Sequence, residues 1–73
     1  MDEGFIYANK YRRAVFEELS VGENNIARIA KKHRIFLPIV QRVIKEFEDE
    51  DIVENHNGRY RFTKKGERLK QSI

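Results

Sequence analysis

The sequence predicts a mostly α-helical domain with one small β-hairpin, in the order helix, helix, helix, hairpin, short helix. Apolar residues recur at helical spacing in three consecutive segments. The dipeptide Asn57-Gly58 then separates two segments of alternating polarity, which is a strong local signal for a hairpin. No repeat and no Gly/Ser-rich or Pro-rich linker divides the 73 residues. We therefore expect a single domain over residues 1 to 73.

The composition limits how such a small domain can be stabilised. Without cysteine, neither disulfides nor a thiolate metal site can staple the fold, so an apolar core must hold it together. The longest apolar run covers residues 35 to 40, far short of the roughly 20 residues of a membrane span, and no leader opens the chain. We expect a soluble, cytoplasmic protein. A homodimer would add stability, because a domain of this size buries only about 60% of its unfolded surface.

The first helix is predicted over residues 9 to 19. Its apolar residues share one stripe: Tyr11, Val15, Phe16 and Leu19. Gly22 allows the chain to reverse after the helix. Phe5, Ile6 and Tyr7 precede it and are too apolar to remain in water. We expect these three residues to dock and, with the last helix, to provide the surface for a second copy.

A second helix is predicted over residues 25 to 33. Asn24 or Asn25 caps it, because an Asn side chain accepts hydrogen bonds from the amides of a first turn. One face carries Ile26, Ile29, Ala30 and His33. The opposite face carries Arg28, Lys31 and Lys32 and should point outward. On the apolar face, His33 is expected to be a satisfied core histidine.

A third helix is predicted over residues 37 to 49, with Pro38 in its first turn. At about 100° per residue, the buried arc contains Phe36, Val40, Val43, Ile44 and Phe47. The far side carries Pro38, Gln41, Arg42 and Lys45. Phe36 and Leu37 are expected to pin the start of the helix. Ile39 lies off the apolar stripe and is either half-buried or an exposed contact residue.

A hairpin is predicted over residues 52 to 62, with a two-residue type I′ turn at Asn57-Gly58. His56 then pairs with Arg59, which turns Val53, Tyr60 and Phe62 toward the core. Arg61 is expected to pair with Glu54 across the strands. Thr63 can cap a last helix over residues 64 to 72, in which Leu69 and Ile73 fold back and Gly66 weakens the helix.

The charge of the chain is unevenly distributed. The net charge is only +3, with a pI near 9.4. From Asn24 to Lys45, however, there are six basic residues and no acid, and from Glu46 to Glu54 six acids and no base. A solvated surface usually mixes its signs, so the basic segment favours an anionic partner.

Catalytic and metal chemistry find little support. Ser20 and Ser72 are the two serines, and neither is near a histidine in the sequence. There is no Gly-rich phosphate loop. With His33 and His56 as the two histidines and no cysteine, a metal site is not expected. The acidic run lacks the spacing of a calcium loop. We expect neither an enzyme nor a cofactor.

The stretch IAKKHRIFLPIVQRVIKEFEDEDIVE, residues 29 to 54, resembles the core of winged helix-turn-helix transcriptional regulators. RYRFTKKGERL resembles their second wing strand and the helix that follows, as in small archaeal and bacterial regulators, and RRAVFEEL fits their first helix. The resemblance covers about residues 9 to 70. It implies a three-helix core, a wing and a short C-terminal helix.

The resemblance also implies roles for individual residues. The helix over residues 37 to 49 would be the recognition helix, and residues 55 to 60 the wing. Base-facing positions would be Pro38, Gln41, Arg42 and Lys45. The chain departs from the family at Arg34, where Gly is common, and at Phe36, where Ser or Thr usually caps the helix. Leu37 and Ile39 replace small polar residues.

We therefore expect a DNA-binding transcriptional regulator. Contacts to phosphates and through the wing are expected from Asn25, Arg28, Lys31, Lys32, Arg34, Asn57 and Arg59. The alternative is a winged-helix module that binds another protein through Leu37 and Ile39 and contacts no nucleic acid. RNA is disfavoured, because no aromatic residue is expected on the exposed helix face to stack an unpaired base.

Overall fold

The computed structural model describes residues 2–72 and has the predicted order of elements, with one additional helix at the start. The elements are α1 Asp2–Tyr7, α2 Lys10–Ser20, α3 Ile26–His33, α4 Leu37–Asp49, β1 Val53–His56, β2 Arg59–Phe62 and α5 Lys64–Ser72. The strands form an antiparallel two-stranded sheet. The mostly helical fold with a hairpin and a C-terminal helix is confirmed.

Helix α1 was not predicted. It is stabilised by packing, since six residues are too few for a helix that is stable alone. Ile6 is fully buried in the core, and the Phe5 ring meets the Phe47 ring edge-on at 6.2 Å. The expectation that Ile6 lines a surface for a second copy is therefore wrong. Tyr7 remains 44% exposed.

Asparagine side chains cap both α2 and α3. Asn9 Oδ1 accepts hydrogen bonds from the backbone N–H groups of Tyr11 and Arg12, at 2.7 and 3.2 Å. Asn25, and not Asn24, caps α3: its Oδ1 accepts from the backbone N–H groups of Ala27 and Arg28, at 2.9 and 3.2 Å. Both helices therefore begin where a side-chain oxygen can replace the missing backbone partners.

The turn between α3 and α4 begins at Arg34, which has the left-handed conformation (φ 55°, ψ 44°) that Gly adopts more easily. The Ile35 N–H donates to Ala30 O at 2.9 Å, which closes a Schellman-type end to α3. The departure from Gly is thus accommodated by an ordinary helix ending, at the expense of some backbone strain.

Helix α4 has the predicted bounds, and its predicted buried arc is confirmed except for Phe36. Val40, Val43, Ile44 and Phe47 are buried, whereas Phe36 is 78% exposed. Phe36 is the N-cap, with non-helical backbone angles (φ −56°, ψ 131°). The helical rotation of 100° per residue therefore does not apply to it. Phe36 does not pin the helix start.

Next to Phe36, Leu37 is 38% exposed and Ile39 is half-buried. Of the two positions left open for Ile39, the structure has the half-buried one.

The hairpin has the predicted register, with His56 opposite Arg59 and Val53 opposite Phe62. Asn57 and Gly58 have positive φ angles of 56° and 85°, as a type I′ turn requires. Arg61 is opposite Glu54 as predicted, but the two side chains do not bond directly. Arg61 Nη2 lies 3.2 Å from His56 Nδ1, and His56 Nε2 lies 3.2 Å from Glu54 Oε2, so the histidine stands between them.

Helix α5 is capped by Thr63, whose Oγ1 accepts from the Gly66 N–H at 3.1 Å. Gly66 is more than a weak helix former: a Cβ atom there would lie 2.1 Å from Ile52 O. The glycine lets α5 approach the start of the hairpin closely. Leu69 is buried as expected, and Ile73 lies outside the described residues.

The core lies between the helices and the inner face of the hairpin, with Phe47 at zero exposure. The Phe16 ring meets Phe47 edge-on at 6.3 Å and lies 5.0 Å from the Phe62 ring. The inner face of β2 thereby packs on α2. Within residues 2–72, no helix is long and apolar enough to cross a membrane.

Candidate nucleic-acid interface

Every side chain predicted to contact nucleic acid is on the surface. The exposed residues include the base-facing set Pro38, Gln41, Arg42 and Lys45 and the phosphate and wing set Asn25, Arg28, Lys31, Lys32, Arg34, Asn57 and Arg59. None of these side chains is buried in the core, so each is accessible to a partner.

The structure brings one group of these residues together. Asn25, Arg28, Lys32 and Arg59 line an open cleft of about 540 Å³ between the start of α3 and the hairpin. Arg28 and Lys32 are four residues apart on α3, hence on one face of the helix. Residues from two separate elements thus present cations to the same space.

A backbone hydrogen bond fixes the hairpin beside α3. The Tyr60 N–H donates to Asn24 O at 3.1 Å, so the chain just before α3 pairs with β2. Arg59, the residue before Tyr60, is thereby held near the start of α3. Sequence patterns do not reveal this contact, because a single residue pair has no periodicity.

Two acids also line the cleft, and the sequence reasoning missed both. Glu23 Oε2 accepts from the backbone N–H groups of Asn24 and Asn25, both at 3.1 Å. Glu18 is buried and receives Lys32 Nζ at 3.3 Å on Oε1. Three cations therefore face two carboxylates, so the cleft is less basic than the sequence segment suggested.

Glu18 also corrects the expectation for His33. His33 Nε2 lies 2.8 Å from Glu18 Oε2, and its side chain is 30% exposed, so it is not a core histidine. The hydrogen bond from His33 lowers the pKa of Glu18, burial acts in the opposite direction, and Lys32 adds to the lowering. Glu18 is accordingly a carboxylate at neutral pH, and Lys32 is partly neutralised by it.

Position in the helix could have pointed to Glu18. It lies beside Leu19 and three residues after Val15, on the inward side of α2. An acid on a buried face needs a cationic or donor partner, and α3 supplies two.

The outward face of α4 carries Gln41, Arg42 and Lys45. Arg42 is exposed to solvent. Lys45 Nζ lies 3.9 Å from Asp49 Oδ1, but both side chains are largely exposed, so this ion pair is weak. The face therefore presents exposed polar and cationic groups to solvent.

Several cations in the region are free of intramolecular partners. Among the described residues, the side chains of Arg28, Lys31, Arg34, Arg42 and Arg59 make no hydrogen bond or ion pair. Arg34 does not join the cleft of Arg28 and Arg59; it lines another of about 300 Å³ with Lys10 and Tyr11.

Comparisons with known proteins agree with this architecture. The family model described as "Winged helix-turn-helix" matches residues 2–73, almost the whole chain. Searches of curated proteins and of solved structures returned no significant match. The chain therefore belongs to the winged helix-turn-helix family.

Proposed function

We propose that this winged helix-turn-helix protein binds double-stranded DNA, with α4 in the major groove and the hairpin as a wing, and that it regulates transcription. The observation that carries the proposal is the cleft in which Arg28 and Arg59, from α3 and the hairpin, face the same open space and have no partner among the described residues. Two unpaired cations from neighbouring elements are suited to a phosphate backbone.

On α4, the base-reading residues would be Pro38, Gln41, Arg42 and Lys45. An α-helix fits the major groove, where Arg or Lys bonds guanine O6 and N7, and Gln bonds adenine N6 and N7. Arg42 is the strongest of these, because it is exposed and makes no hydrogen bond or ion pair in the part of the chain that the structure describes.

Phosphate contacts would come from the residues around the groove-facing helix. Arg28 and Arg59 carry most of this role, with Lys31 and Arg34 further along the same basic segment. Asn25 uses Oδ1 to cap α3, so its amide nitrogen is the group that faces a phosphate. Asn57 is at the hairpin tip. Lys32 contributes less, because its ammonium group already binds Glu18.

The test is a salt titration of duplex binding, followed by fluorescence anisotropy. Each phosphate contact should contribute about −0.9 to the slope of log K against log salt. Arg28→Ala and Arg59→Ala should each reduce the slope by about one and weaken all sequences alike. Lys32→Ala should have a smaller effect. Arg42→Ala should weaken a specific site by about 1 to 3 kcal/mol.

Arg68→Ala is the matched control. Arg68 is an exposed cation on α5 with no intramolecular partner in the described structure, so its removal changes the net charge equally. If Arg68→Ala reduces the slope as much as Arg28→Ala, binding depends on net charge and not on this cleft. Absence of duplex binding at low salt would refute the proposal.

Finer aspects of the proposal concern assembly and location. We propose that the protein is a homodimer, because transcriptional regulators commonly bind two half-sites one DNA turn apart. We also propose that it is cytoplasmic. Sedimentation equilibrium of the free protein and of its DNA complex tests the dimer.

The second candidate function, a protein-binding module using Leu37 and Ile39, is favoured by the exposed apolar surface at Phe36 and Leu37. Domains of this family are typically non-enzymatic, and we propose no catalytic activity.

A further inference from the structure

The start of α4 presents apolar surface to solvent. Phe36 is 78% exposed and Leu37 is 38% exposed, and Pro38 is exposed beside them. Residues 35 to 39 contain no polar side chain. Exposing a phenylalanine to this extent does not stabilise the fold. The patch of Phe36, Leu37 and Pro38 is therefore a candidate binding surface.

The backbone of this helix start is also poor in hydrogen-bond donors. The N–H groups of Ile39 and Val40 both donate to Phe36 O, at 2.9 and 3.3 Å, and Pro38 has no N–H. No side chain caps the helix. A helix N-terminus usually attracts phosphate through its free N–H groups. Here Pro38 lacks one of these groups and the Ile39 N–H is already bonded, so the helix start has fewer free donors for an anion than usual.

Charge around the patch favours DNA over a protein as the partner. Arg34 and Arg42 flank it in the sequence, and both are exposed and unpaired among the described residues. The surrounding segment from Asn24 to Lys45 contains no acid. An apolar patch with exposed cations on either side of it in the sequence matches a major groove, where phosphates border the base edges.

The major groove offers one apolar feature on its base edges, the C5-methyl group of thymine. In helix-turn-helix proteins, residues at the start of the recognition helix contact base edges. We propose that Phe36 and Leu37 bind thymine methyl groups in the major groove and so make the protein selective for thymine at the positions they contact. The inference rests on the proposed function, since it requires α4 to enter the groove.

The test removes the methyl group without changing the base sequence. A random duplex pool is enriched for binding to the full chain and then synthesised with either thymidine or deoxyuridine, which pairs identically but lacks the methyl. The thymidine pool should bind more tightly, by about fourfold in Kd for each methyl buried. Replacing cytosine by 5-methylcytosine adds a methyl group at the same ring position. The methylated pool should bind more tightly than the cytosine pool where the added methyl contacts Phe36 or Leu37.

The double variant Phe36→Ala/Leu37→Ala should bind both pools equally. Phe36 is outside the core and Leu37 is only partly buried, so the variant should fold, which thermal melting by circular dichroism verifies. Arg59→Ala is the matched control: it should weaken binding to both pools by the same factor and preserve their ratio.

Other outcomes would overturn the inference in distinguishable ways. In the first, the wild-type protein binds the two pools equally while its salt-dependent duplex binding is intact. That result would refute the methyl contact without affecting the proposed function. A preference that survives Phe36→Ala/Leu37→Ala would remove the assignment to these residues. Tighter binding to the single strands of the pool would assign Phe36 to base stacking instead. No duplex binding at low salt would refute both proposals.

Discussion

Replacing Gly66 by alanine should destabilise the protein, although helix propensity predicts the opposite. Gly66 lies in the first turn of α5, where alanine is normally favoured over glycine by about 1 kcal/mol. A Cβ at this position would lie 2.1 Å from Ile52 O, 2.9 Å from Phe62 Cδ1 and 3.1 Å from Phe62 Cβ. The first distance is far below any van der Waals contact, so the backbone must move.

Movement is costly because Ile52 O is already in use. It accepts from the Thr63 N–H at 3.0 Å and from Thr63 Oγ1 at 3.2 Å, and both contacts fix the junction between the hairpin and α5. Overpacking typically costs about 1 to 3 kcal/mol, and a weakened hydrogen bond adds about 1 kcal/mol. After subtracting the propensity gain, we expect a net loss of about 1 to 3 kcal/mol.

Urea and thermal unfolding followed by circular dichroism measure this loss. In a domain of this size, each 1 kcal/mol corresponds to roughly 4 to 8 °C in Tm. Gly4→Ala is the matched control, because Gly4 is also helical but a Cβ there would meet no atom of another described element within 4 Å. It should be neutral or stabilise by up to about 1 kcal/mol. If Gly66→Ala stabilises the protein as Gly4→Ala does, the close approach of α5 to Ile52 is refuted.

Three further substitutions test other contacts. Arg12→Lys should lower the free energy of unfolding by about 1 to 2 kcal/mol in urea titrations. The Arg12 guanidinium makes two hydrogen bonds to the Glu46 carboxylate and one to Phe5 O, and it lies 4.1 Å from the centre of the Phe5 ring. A Lys ammonium group cannot reproduce these contacts together. Arg34→Gly should raise Tm, since glycine relieves a left-handed backbone strain of about 1 kcal/mol. Glu18→Gln should be less stable than wild type at pH 7. The pKa of Glu18 is lowered from 4.5 in the folded protein. The Glu18 carboxylate therefore stabilises the fold fully above pH 4.5, and this stabilisation is lost as the pH falls through the folded pKa. The difference in denaturant midpoint between wild type and Glu18→Gln should accordingly shrink in acid.

The elements that the sequence predicted well are those with a local physical cause. The bounds of α4 follow from an apolar stripe and a proline in the first turn, and the hairpin register follows from the positive φ angles that Asn57-Gly58 permits. Helix α1 could not be predicted this way. Its six residues form no recognisable period, and it is stabilised by Ile6 in the core, a contact made only after the other helices assemble.

Phe36 illustrates a different limit. Rotation at 100° per residue assigned it to the buried arc, but the rule holds only inside a helix, and Phe36 is the non-helical residue before it. Applying the helical rotation to the residue before the helix start assigned an exposed side chain to the core. That same error concealed the apolar patch, and it removes the ground on which RNA was disfavoured, since an aromatic side chain is exposed after all.

The distribution of charge shows why a basic sequence segment does not translate directly into a basic surface. Lys32 and His33 belong to the acid-free segment, yet both contact Glu18, which lies on the preceding helix. Glu18 is buried, so it needs donors from α3 whether or not DNA is present. Part of the positive charge of α3 therefore stabilises the fold. The cations left for a polyanion are those that make no ion pair or hydrogen bond within residues 2–72, and in the cleft these are Arg28 and Arg59.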